Sequence, residues 1–148
     1  MMSQDKDPLD VEEAVRRLEH ALPLQLRSVV AYGIASGSLV GFQYVGLGEL
    51  FWRFAQADLD DVRRLTEKLV TLGGQPPTEV PDAELGTIPE RMVERLIELE
   101  REVIEALQDV IPTTGHTGDS EALEHRLEHL IMRKQEQVDA LLRALRQP

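Results

Sequence analysis

A chain of 148 residues, 42% hydrophobic and 29% charged, holds enough apolar material for one buried core and no more, so a single domain over residues 1–148 is expected. Its formal charge of -11 argues against nucleic acid and anionic membrane as partners, because both require a basic face. The absence of cysteine excludes disulfides, thiolate metal sites and thiol catalysis, and is compatible with the reducing cytoplasm that is the expected location.

The N-terminus, Met1 to Asp7, is polar and acidic, unlike a secretory signal. Asp10 and Glu13 have capping-box spacing, so the first helix is expected to begin near Asp7 and Pro8 or at Asp10. Its apolar stripe runs Val11, Ala14/Val15, Leu18, Ala21/Leu22, then Gln25, Ser28/Val29 and Tyr32. Pro23 sits inside this pattern and removes one backbone donor, which predicts a kink beside Gln25. Beyond it come Gly33, Gly37 and Gly41 at four-residue spacing. Such small residues admit a close helix, either of the same chain or of a second subunit, and a subunit contact is slightly favoured. The uncharged run from Ser28 to Gly48 is long enough to span a bilayer. Its glycines, serines and Gln43 continue a water-soluble amphipathic pattern instead, so no membrane association is expected.

The second helix is predicted from about Leu47 to Leu72, stopped by Gly73 and Gly74, with the stripe Leu47, Phe51, Phe54, Asp58, Asp61, Leu65, Leu69 and Leu72. The aperiodic stretch from Gln75 to Gly86 follows. About 15 extended residues reach about 50 Å, whereas a helix of about 26 residues is about 39 Å long. The connection can therefore cross the whole bundle and set the third helix parallel to the second.

Thr87 with Glu90 suggests a second capping box, opening a third helix that ends at Pro112 with the stripe Val93, Leu96, Glu100, Val103/Ile104, Leu107 and Ile111. A short turn from Thr113 to Gly118 leads to a fourth helix capped by Asp119 or Ser120. Its stripe is Leu123, Leu127, Leu130, Lys134, Gln137/Val138, Leu141 and Leu145. Each helix thus carries a hydrophilic interruption near its middle: Gln25, Asp58 with Asp61, Glu100, and Lys134 with Gln137. All four can meet in one layer, which is how a di-metal carboxylate centre is built into a bundle.

The segment from Leu18 to Tyr32, the ungapped register to Leu72-Gly73-Gly74-Gln75-Pro76, and the shorter matches at Leu99-Glu100 and Val138 to Leu141 resemble the bacterioferritin branch of the ferritin-like superfamily. The resemblance covers most of the chain at low identity. It implies an all-α, ferritin-like up-down-down-up four-helix bundle with one long crossover between the second and third helices. Carried over by position, the family's first-helix glutamate is Gln25 here, and its second-helix Glu-x-x-His is Asp58 and Asp61. The third-helix glutamate is kept as Glu100, the fourth-helix Glu-x-x-His is Lys134 and Gln137, and Tyr32 is retained. The haem-ligating methionine falls at Leu59, so no haem is expected.

These changes point to a degenerate centre. Both imidazoles are gone, Gln25 offers only a neutral oxygen, and Lys134 puts a cation where a bridging carboxylate belongs. An ammonium there can pair with Glu100, Asp58 or Asp61, replacing a metal charge with a covalently attached one. Three carboxylates against one lysine leave the layer at -2 if all are ionised, which calls for raised carboxyl pKa values or a wet layer. The leading expectation is a protein of interaction or ligand binding, neither storing iron nor oxidising it, without a bound cofactor and forming a homodimer. One alternative is an iron- or manganese-binding oxidase that uses Asp58, Asp61 and Glu100 as ligands and Tyr32 in the chemistry. Another is a regulatory subunit paired with a metal-competent ferritin-like paralogue. With no stretch for a fifth helix after the fourth, a closed storage shell is not expected. The homodimer is expected to pack through the first helix, Tyr44 and Trp52, with Phe51 in core or interface. His125 and His129 have ligand spacing but lie off the apolar stripe, and read as part of a solvated face.

Overall fold

The computed structural model describes residues 9–115 and 117–146, so a helix start at Asp7 or Pro8 lies outside the described residues, as does the side chain of Asp119. Four helices follow in order: α1 over Val11–Ser38, α2 over Val45–Thr71, α3 over Pro89–Val110 and α4 over Gly118–Leu145. Single 3-10 turns at Phe42–Tyr44 and Ile111–Thr113 lead into α2 and out of α3. Among the described residues there is no strand, and no helix is long and apolar enough to cross a membrane.

Capping chemistry explains most of these boundaries. Asp10 caps α1, its Oδ1 accepting from the Glu13 amide at 3.2 Å. The helix continues unbroken through Pro23. Two backbone bonds close α2, from Gly73 to the Val70 carbonyl at 3.0 Å and from Gly74 to that of Leu69 at 2.9 Å. This is a Schellman closure, and it requires the left-handed φ of 90° that glycine adopts at position 73. Gly74 is needed for a different reason: a Cβ there would lie 2.3 Å from Leu69 Cδ1.

Two expected caps are corrected. The start of α3 does not use Thr87; Pro89 takes the first helical position and the cap is Ile88, which makes no side-chain cap bond. A residue before proline is pushed into extended backbone, and Ile88 at ψ 121° obeys that constraint. In α4 the cap is Thr117 rather than Asp119 or Ser120, with Thr117 Oγ1 accepting from the Ser120 amide at 3.3 Å.

The topology is up-down-down-up. Asp10 N–H bonds to the Thr113 carbonyl at 2.9 Å and Arg17 reaches that of Asp109 at 2.6 Å, so α1 and α3 are antiparallel. Tyr44 at the head of α2 bonds to Glu90 at the head of α3 at 3.0 Å, so α2 and α3 run the same way. The crossover that this demands passes over α1. It is tethered by Gln75 N–H to Glu19 Oε2 at 3.1 Å and by Arg95 Nε to the Ala83 carbonyl at 2.8 Å, with Ala83 buried.

The apolar core has two halves. One gathers Tyr32, Phe51, Val93, Leu96 and Leu141, and the other Leu18, Leu22, Leu65, Leu69, Leu107 and Leu127. Each fully buried leucine contributes about 1.5–3 kcal/mol, and these two halves hold a polar layer between them.

Gly33 and Gly37 do not serve a contact within the chain. An added Cβ at either would meet nothing within 4 Å, whereas the close backbone approach falls at Gly48, where an added Cβ would lie 3.2 Å from the Ser36 carbonyl oxygen. Gly41 lies outside α1, in the turn, at φ 120°.

Candidate functional site

The polar layer is assembled from positions three residues apart on α1, α2 and α4 and a single residue on α3. Helical geometry puts residues i and i+3 on one face, so Gln25 and Ser28, and Lys134 and Gln137, enter as pairs, while α2 brings Asp58 inside and leaves Asp61 at the edge. Gln25, Asp58, Glu100 and Lys134 are wholly buried, and Ser28 and Gln137 nearly so.

Lys134 is the hub. Its Nζ lies 2.7 Å from Glu100 Oε1, 3.1 Å from Asp58 Oδ1 and 3.5 Å from Ser28 Oγ. Ser28 Oγ is 2.7 Å from Asp58 Oδ2 and 3.2 Å from Glu100 Oε1, so its single proton goes to the nearer oxygen, that of Asp58. Gln137 Nε2 donates to Glu100 Oε2 at 2.7 Å and lies 3.4 Å from Asp58 Oδ1. Gln25 Nε2 donates to the Asp58 backbone carbonyl at 3.0 Å, and its buried Oε1 has no hydrogen-bond partner. Both oxygens of Asp58 and of Glu100 are therefore engaged by donors of the chain itself.

Asp61 is not part of this group. It is only partly buried and forms its ion pair with Arg133 instead of Lys134. Arg133 also bonds to Gln137 and places Nη2 3.1 Å from Asp58 Oδ1, so it links the edge of the layer to the interior. The expected layer charge of -2 is corrected by this second cation: Asp58, Asp61 and Glu100 against Lys134 and Arg133 give -1. Among the described residues, no group of three or more histidine, aspartate or glutamate side chains is placed to hold a metal ion.

Burial dominates the electrostatics. It pushes the Glu100 carboxyl above its ordinary value, the Lys134 charge pulls it back, and the Asp58 charge pushes it up again. Tyr32 is wholly buried beside Phe51 and Phe54, at ring distances of 5.7 and 5.4 Å, and its hydroxyl makes no hydrogen bond. Burial first, and the Glu100 charge second, drive its pKa well above the usual tyrosine value.

Ser28 and Arg133 were not singled out in the sequence. Ser28 was legible in retrospect, since Gln25-x-x-Ser28 repeats the spacing of Asp58-x-x-Asp61 and Lys134-x-x-Gln137. Arg133 carried a weaker signal: it is one residue off the stripe, and only its four-residue spacing to Gln137 placed it near the layer. Of the aromatic residues, Phe51 is core, Trp52 is half exposed, and Tyr44 bonds to Glu90. His125 and His129 are exposed.

A family model for the ferritin-like domain matches residues 15–147. The fold is shared with a solved structure from Bacillus anthracis str. Ames described as ferritin-like, diiron-carboxylate proteins. The TM-score is 0.85 at 22% identity, covering 98% of this chain and 100% of that one. BfrA from M. tuberculosis superposes with a TM-score of 0.78 at 17% identity, covering 89% of this chain and 82% of the other. No curated protein sequence matches the chain.

Proposed function

The chain belongs to the ferritin-like domain family, and from that premise we propose that its di-metal centre is degenerate and that a lysine–carboxylate network occupies the same level of the bundle. The protein then serves interaction or ligand binding in the cytoplasm, and neither stores iron nor oxidises it.

The observation that carries this reading is the Lys134 ammonium in bonding contact with both Glu100 and Asp58. Two iron or manganese ions require bridging carboxylates and terminal imidazoles. The donors present do not fit that requirement. Neither imidazole position holds a histidine, Gln25 offers only a neutral amide oxygen in place of a carboxylate, and a cation takes the Asp58 and Glu100 oxygens that a metal would use. The competing reading, a single ion held by Asp58, Asp61 and Glu100 with Tyr32 as a redox partner, requires Lys134 to leave and Asp61 to turn from Arg133.

The outer surface supports a homodimer. Val45, Trp52 and Leu59 form an exposed row at seven-residue spacing along α2, and Val30 and Ile34 are exposed on α1. Gly33 and Gly37, open to within 4 Å, leave room for a second chain to approach.

The deciding experiment is elemental analysis of untagged protein from cells supplied with iron and manganese, combined with an iron(II) oxidation assay. Protein without iron or manganese, and oxidation no faster than in buffer, is the expected result. Stoichiometric iron or manganese that disappears in Glu100→Ala overturns the proposal and establishes an oxidase with unusual ligands.

A further inference from the structure

A second set of potential ligands lies on the surface of α4, separate from the buried layer. His125 and His129 are one helical turn apart and both exposed. Their Nε2 atoms are 3.1 Å apart, with ring centroids at 4.5 Å and planes inclined at 75°. Two imidazole nitrogens this close share something between them, either a proton or a metal ion. With metal–nitrogen bonds of about 2.05 Å, the observed separation corresponds to a nitrogen–metal–nitrogen angle of about 98°. That lies between the angles of about 90° and about 109° that square-planar or octahedral and tetrahedral ions prefer. The helix beneath the two rings is anchored by buried Leu123, Leu127 and Leu130.

We propose that His125 and His129 form a bidentate site for one divalent late first-row transition ion: copper(II), nickel(II) or zinc(II). The proposal is independent of the reading given to the buried layer. Two neutral nitrogen donors select these ions over manganese, magnesium and calcium, which prefer oxygen. The chain charge of -11 favours cations generally. The remaining coordination positions are open to water or to an incoming ligand. A cleft of about 400 Å³ between α2 and α4, which His129 lines together with Ala57, Asp61 and Arg133, gives such a ligand access.

The test is calorimetric titration of the full-length, chelator-treated protein with copper, nickel and zinc chlorides, alongside copper(II) electron paramagnetic resonance. The expected result is one ion per chain, with copper tightest, and two equatorial nitrogens in the spectrum. His125→Ala and His129→Ala each weaken binding on the order of a hundredfold, the advantage of a second donor already in place, and each reduces the spectrum to one such nitrogen. Both side chains are exposed, so these variants fold. His20→Ala binds as the parent does. Undiminished binding by the His125→Ala, His129→Ala double variant, loss of binding in His20→Ala, or no binding by the parent overturns the proposal.

Discussion

Lys134 and Glu100 form an ion pair of 2.7 Å at the centre of the bundle, with neither side chain exposed to solvent. Asp58 completes a buried triad whose net charge is -1, and Arg133 brings a further positive charge to its edge. A buried pair of this kind is poor evidence of added stability, because desolvation opposes the Coulomb gain. Removing one partner is a different matter, since it leaves the other charges buried and uncompensated.

Lys134→Met keeps most of the side-chain volume while deleting the cation, which leaves Asp58 and Glu100 facing each other in the interior. A loss of about 3–5 kcal/mol is expected at neutral pH, the range for breaking a buried pair. Urea denaturation of the variant beside the parent measures it, and an unchanged midpoint contradicts the network.

Glu100 gives the network a pH signature. Its folded-state pKa is raised above the reference value of 4.5, so the folded protein holds this proton more tightly than the unfolded chain. The resulting stability is fully present below 4.5 and is lost as pH rises through the folded value. Glu100→Gln removes that dependence and leaves Asp58 and Lys134 as a neutral pair. The variant is expected to show a flatter stability profile above this pH and to remain folded at neutrality, as read by denaturation across a pH series.

Tyr32 and Tyr44 separate by burial. Both pKa values lie above the usual 10.0, that of Tyr32 through burial and that of Tyr44 through its bond to Glu90. Alkaline titration followed by tyrosinate absorbance is expected to show Tyr44 ionising first and Tyr32 only as the protein unfolds. Tyr44→Phe then removes the earlier step alone.

The exposed row of Val45, Trp52 and Leu59 predicts that Trp52→Glu converts the proposed dimer to a monomer, measured by light scattering during size-exclusion chromatography. Gly33→Ala separates two effects. It stabilises an isolated helix by about 1 kcal/mol, while a second chain packed on this open face is pushed away. A more stable but monomeric variant is the expected outcome.

The sequence by itself determined which residues point inward. A periodicity of 3.6 residues is local, so the stripes of α1 to α4 apart from the exposed Val11, the interruption of each by Gln25, Asp58, Glu100 and Lys134, and the length of the crossover were readable without neighbours. The Asp10 cap and the Gly73 stop were readable for the same reason, since each uses backbone groups within one turn. Only the tertiary structure decided the partners. Whether Lys134 meets Asp58 or Asp61 depends on how far α2 and α4 are rotated and shifted against each other, and that rotation gives Asp61 to Arg133. Ser28 entered the layer, and Gly33 and Gly37 lost any partner within the chain, through the same interhelical geometry. The caps at Ile88 and Thr117 were set by the backbone path of the preceding loops, where no periodic pattern exists to be read.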